Sequence, residues 1–377
     1  MQLIRKSGLL LLLLPLAASA AVLPEDRADL MYHYYDGGGV TIDGPALLVR
    51  KKFDEKYAVS ASNYVDMVSS ASIDVITTAS EYREERTQYG VGFEYLRGKV
   101  SYAVAFSNSK ENDYNADTAS FTIAQDMFGD LTTVALSFTR GWDDVTRRGD
   151  AVFADSIDRR VYGVDVSQVA TRNLVLGFAF ETIAEEGYLS SPYRQVRFVD
   201  PAEALGYGYE LERYPRTRTG NAVSLRGRWY LPYRAAVQAD YRFYNDTWEI
   251  RSHTAGLSYT HPLDDRWTLD VRYRYHDQDS AEFYSDLYPR EDFQNFLARD
   301  KELSTMQSHT LGFGVAYELR PSKLSFLGRT TLNLKYDRIM FRYDDFRDLR
   351  ATGFAPGTEP LYEFDADVIQ LFFSSWF

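Results

Sequence analysis

The sequence predicts an all-β protein, a transmembrane antiparallel up-and-down β-barrel of about sixteen strands, with about fourteen as the alternative. Three observations carry this. Apolar and polar residues alternate with period two over most of the chain. Residues 1–20 (MQLIRKSGLLLLLLPLAASA) put Arg5 and Lys6 before an apolar run and a small-residue Ala18-Ser19-Ala20 site, which reads as a signal peptide cleaved to leave a barrel of residues 21–377. The stretch 364–377 (FDADVIQLFFSSWF) puts Ile369, Leu371, Phe373 and Phe377 on one strand face, interrupted only by Ser375. An end that apolar suits a closing barrel seam read by the barrel-assembly machinery better than a fraying terminus.

The strands follow in order. Residues 29–35 form the first, and the turn at Asp36-Gly37-Gly38-Gly39 leads into 40–53. A turn at 54–56 precedes the strand 57–66, and 67–84 reads as a Ser/Thr-rich loop. In 88–95, Tyr89, Val91, Phe93 and Tyr95 share a face; in 99–108, Val100, Tyr102, Val104 and Phe106 do. The strands 115–127 and 131–140 flank Gly129-Asp130, and 142–157 reads as a polar loop. The strands 158–170 and 173–186 flank Thr171-Arg172, and 187–215, with three Pro and no sustained period, reads as the longest loop. Strands at 216–230, 234–244, 253–261 and 266–277 continue the alternation. Loop 278–304, strands 305–319 and 329–341, loop 342–363 and the strand 364–377 complete the chain. Short and long connections alternate, so with both termini in the periplasm every long loop falls outside.

Composition narrows the function. No Cys is present, which removes disulfides and thiol chemistry. Loss of Arg5 and Lys6 takes the formal charge from −12 to −14, so no nucleic-acid partner is expected. The chain carries 29 Tyr and 23 Phe at a mean hydropathy of −0.37. Alternating strands with aromatic girdles reconcile those values, and they make outer-membrane lipid the expected surroundings and the cell outer membrane the expected location.

If the apolar faces meet lipid, the lumen is lined by Arg226, Arg228, Asp240, Arg242, Asp270, Arg272, Arg274, His276, Glu318, Lys335 and Asp337. Such a wall either selects an anionic solute or forms a mutually neutralising ladder, and the mixed signs favour the ladder. The five His show no metal-ligand spacing, and His276 beside Asp277 and Asp279 is the best local group. The acidic stretch Asp36–Asp43 reads as a hairpin turn rather than a calcium loop. The pairs Asp143-Asp144, Asp264-Asp265 and Asp344-Asp345 are candidates for divalent cations, against a plain role as solvated loop ends. Neither a resident metal nor a cofactor is expected, and no catalytic residue is assigned. The expected function is a non-enzymatic channel or a scaffold for periplasmic envelope partners. A hydrolase with its site on the barrel rim is the alternative, because such sites need little local motif.

The run from His33 through Asp36-Gly-Gly-Gly-Val-Thr-Ile-Asp43-Gly-Pro45 to Lys51 resembles the opening signature of the family catalogued as domain of unknown function 3570. Residues 60–66 (SASNYVD) and 84–90 (EERTQYG) resemble it as well. The resemblance implies an outer-membrane β-barrel without an established activity and transfers no catalytic residue. It also implies small lipoproteins or periplasmic redox proteins as partners.

Overall fold

Residues whose side chains alternate between oil and water cannot leave a strand edge bare in a membrane, so the sheet they form has to close. The computed structural model of the protein describes residues 22–70, 82–319 and 328–377. The signal-peptide reading at 1–20 lies outside the described residues, as does most of the turn between the last two hairpins.

The sheet runs through β1 (Arg27–Gly37), β2 (Val40–Phe53), β3 (Tyr57–Ser70), β4 (Tyr82–Arg97), β5 (Val100–Lys110), β6 (Tyr114–Met127), β7 (Thr132–Arg147), β8 (Asp150–Thr171) and β9 (Leu174–Gly187). Two short strands follow, β10 (Gln195–Val199) and β11 (Tyr207–Leu211). The barrel resumes with β12 (Thr217–Tyr230), β13 (Ala236–Asp246), β14 (Arg251–Pro262), β15 (Trp267–Gln278), β16 (Met306–Leu319), β17 (Thr330–Arg347) and β18 (Leu361–Trp376). Each barrel strand pairs antiparallel with its neighbours in the chain. β12 pairs β9, so β10 and β11 stand apart as a separate hairpin, and β1 pairs β18 to close a barrel of sixteen strands. The closing register runs unbroken from Arg27↔Trp376 to Gly37↔Ala366.

The expected strands are therefore all present, but four expected loops are partly strand. Residues 142–157 are no loop: Trp142–Arg147 and Asp150–Ile157 pair and turn at Arg148-Gly149. β3 extends to Ser70 and β4 begins at Tyr82; β17 extends to Arg347 and β18 begins at Leu361. Beyond the apolar band both faces meet water or protein, so the alternation that marks a strand disappears while the backbone ladder continues. The stretch 187–215 contains the β10–β11 hairpin.

Leu30, Val91, Phe93, Leu136, Phe178, Leu257, Val271, Phe313 and Leu371 are exposed on the outer face. At the end that carries Arg27 and Trp376, aromatics form a belt: Tyr95 stacks between Tyr57 and Tyr102, and Trp267 lies 4.5 Å from Tyr317. Toward the other end Tyr241 and Tyr273 bond His253 and His309 at 2.6 and 2.8 Å. Rings with a polar tip suit the two boundaries of an apolar layer. The Gly38-Gly39 turn, at φ 61° and 78°, joins β1 to β2 in the left-handed conformation a two-residue hairpin requires.

Candidate functional site

Because side chains alternate, each residue between two exposed apolar neighbours points inward. The eleven expected residues alternate with the outward apolar positions of their strands, and their registers sort them. Arg226 faces Asp240, which faces Gly256, which faces Arg274. Arg272 bonds Asp270 at 3.0 Å and Asp337 at 2.6 Å. The second bond crosses an intervening strand over Gly312, where a Cβ would stand 2.2 Å from the Asp337 carboxylate. The glycine leaves the space that lets the ion pair form. Arg228 bonds Gln238 at 2.7 Å, Arg242 reaches Glu181 at 3.4 Å, and His276 bonds Thr254 at 2.9 Å. Lys335 lies over the Phe372 ring, and Glu318 sits near the terminal rim, opposite Thr331 and away from this group.

On the opposite wall His33 bonds Asp66 at 2.7 Å, Arg86 bonds the other oxygen of Asp66 at 2.6 Å, and His33 stacks on Tyr64. Asp66 is thus shared between two partners, and all three groups are buried.

The outer mouth holds the feature least expected from sequence. The connections β9–β12, β15–β16 and β17–β18 fold into one cap. The β10–β11 hairpin gains a third strand-like segment where Val199 donates to Tyr288 and Tyr288 donates to Arg197. Tyr214, Trp248, Ile250, Ala281, Phe283, Ala298 and Leu303 bury a hydrophobic core between the loops. The cap also buries Arg197 completely, between Val196 and Phe198 of a second apolar cluster with Tyr288 and Leu297. Its guanidinium donates to Glu359 at 2.5 and 3.1 Å, to the Asp286 carbonyl at 2.9 Å, and to the Asp286 carboxylate. Arg299 bonds Asp286 at 2.9 Å and lies over Phe346. Arg194 pairs with Asp300, beside buried Glu212, which accepts from Tyr214 at 2.7 Å and from the Arg299 amide at 2.8 Å. Three loops distant in sequence are tied by buried charge.

The cap also reaches sideways. Tyr193 donates to Asp113 in the β5–β6 turn and accepts from the Arg148 amide at 2.7 Å. Asp113, Glu84 and Glu111 each bring a ligand oxygen within 4.8 Å of the others. Burial, helped by Glu84, pushes the Glu111 carboxyl up to about 7, and burial pushes the Tyr193 hydroxyl up to about 12, so it remains a donor. Sequence reasoning missed this cluster because Glu84 was read as the end of a loop, and strand pairing is what brings it to the turn.

The acidic pairs singled out from sequence are not paired sites. Asp143 and Asp144 are adjacent in β7 and point to opposite faces, with Asp143 bonding Tyr114. Asp344 and Asp345 do the same in β17, where Asp345 accepts from the Thr305 amide at 2.9 Å. Asp264 caps its own turn at 2.7 Å, and Asp265 lies 3.5 Å from Arg234.

Residues 155–329 match the family described as Protein of unknown function (DUF3570). The DUF3570 segment is just under half of the chain, and it holds nine of the eleven expected lumen residues, all but Lys335 and Asp337, and most of the cap. It lies wholly beyond the N-terminal stretches that carry the resemblance in sequence. No curated protein matches the chain. Among solved structures the chain is similar to a bacterial polysaccharide outer membrane secretin, at 8% identity over 94% of this chain and 100% of that one, with a TM-score of 0.50. It is also similar to a Pseudomonas aeruginosa FadL homologue (9% identity, 95% and 91% covered, TM-score 0.48) and to OmpT, an outer membrane protein of Vibrio cholerae (8%, 94% and 99%, 0.44). What the chain shares with the first is the outer-membrane barrel fold.

Proposed function

We propose that the protein is a non-enzymatic outer-membrane channel whose outer mouth is governed by the folded cap. The supporting observation is the buried Arg197 tie, which makes three long loops one body at the mouth instead of three solvated strands of chain. The apolar outer face and its two aromatic belts support a location in the outer membrane. The paired charges of the inner wall support a weakly selective interior, since neutralised pairs leave little net field for one sign of solute.

The test is single-channel recording of the purified barrel, with and without residues 188–215 replaced by a short Gly-Ser turn. The intact protein is expected to conduct little and the shortened one several-fold more. Absence of conductance in both would overturn the channel and leave a scaffold, whose partners would then be sought among small lipoproteins and periplasmic redox proteins.

A further inference from the structure

We infer that Glu84, Glu111 and Asp113 form a divalent-cation site at the outer rim, suited to calcium, which fastens the cap to the β5–β6 turn. Three carboxylates from β4 and the turn bring one oxygen each within 4.8 Å of the others. Calcium takes several carboxylate oxygens at about 2.4 Å in flexible geometry, which three carboxylates gathered this closely can supply, whereas magnesium keeps most of its waters and is held by one or two carboxylates. Hard, anionic oxygen ligands suit such an ion and no softer one.

A second observation is independent of the cluster. Asp113 is only 4% exposed, and while its Oδ2 accepts from Tyr193, its Oδ1 is buried with no hydrogen-bond partner. A carboxylate oxygen out of water and without a donor is costly, and a cation removes that cost. Among the described residues no Lys or Arg forms an ion pair with any of the three acids. The nearby Arg86 is committed to Asp66. Glu84 accepts from the Asn112 amide at 3.2 Å, which fixes the turn against β4 and holds the ligands in place.

The site touches the cap through Tyr193, whose hydroxyl bonds Asp113 and the Arg148 amide. Binding of the ion keeps Asp113 ionised and oriented as the acceptor for Tyr193. The inference stands apart from the channel reading, because it concerns binding and loop docking and not conductance.

The experiment is terbium luminescence sensitised by Tyr193 and Tyr114, with calcium as competitor, on the folded barrel in detergent. Emission is expected to saturate and to be displaced by calcium with an affinity of roughly 0.1–1 mM, the range of extracellular calcium modules. Asp113→Asn is expected to weaken binding about tenfold or more, with the folded barrel's electrophoretic mobility unchanged. Should Asp113→Asn fail to fold, Glu111→Gln in the β5–β6 turn is read in its place. Chelation is expected to speed proteolysis between Tyr188 and Arg194. Calcium failing to displace terbium, or both folded variants binding as the unaltered protein does, would overturn the site.

Discussion

A guanidinium cut off from water must meet oxygen on every side, and Arg197 does so with Asp286 and Glu359. Arg197→Ala would leave buried Glu359 without its cation and Asp286 with Arg299 alone. Breaking such a group costs about 3–5 kcal/mol, so amide exchange within 188–215 and 279–305 should accelerate while the strand amides stay protected. Glu212 adds a pH dependence. Burial pushes its carboxyl up to about 7 from 4.5, so the folded cap holds that proton more tightly than the unfolded chain does. Its contribution is complete below 4.5 and is lost as pH rises through 7. Glu359 runs the other way: burial would raise it, but Arg197 and the backbone donors of Gly357 and Glu359 together hold it low, so its contribution is lost only in stronger acid. Cap amides, corrected for intrinsic exchange, should therefore be better protected at about pH 6 than at about pH 8, and Glu212→Gln should flatten the difference.

Each barrel strand is an element with two solvents, and β15 makes the contrast plain. Val271 and Tyr273 face outward and are exposed, while Asp270, Arg272 and Arg274 face inward. Val271→Arg would put a cation in hydrocarbon, at about 2–4 kcal/mol near the midplane. The yield of folded barrel in lipid vesicles should fall accordingly, whereas Tyr233→Arg at the terminal rim should change it little. The same two-solvent rule decides what could be read from sequence. Alternation located all the membrane-depth strands, and even the outer bounds of β2. It failed at Trp142–Arg147 and Asp150–Ile157, where apolar residues such as Val145, Val152 and Phe153 are scattered among charges without a sustained period and pairing keeps the strand. It failed again in the cap. Arg197, Asp286 and Glu359 come from loops far apart in the chain, and no local period records a contact made only after folding. Nor did the spacing of Glu84 from Glu111 and Asp113 announce a cluster, because the β4–β5 hairpin between them supplies the proximity.

For the molecule as a whole, barrel and cap are two cooperative bodies joined at one mouth. The barrel rests on a continuous backbone ladder and an apolar exterior. The cap rests on a small core and buried ion pairs, and it should yield first to denaturant or acid. Its loss should open the mouth without unfolding the wall, so in the recordings above the shortened barrel should show little preference between chloride and potassium. The pairing of β1 with β18 has a consequence in time. The ribosome finishes the strand at the seam long after it has made that strand's partner, so the early edge stays unmatched until the last residues are made, and the ring can close only once the whole polypeptide is present.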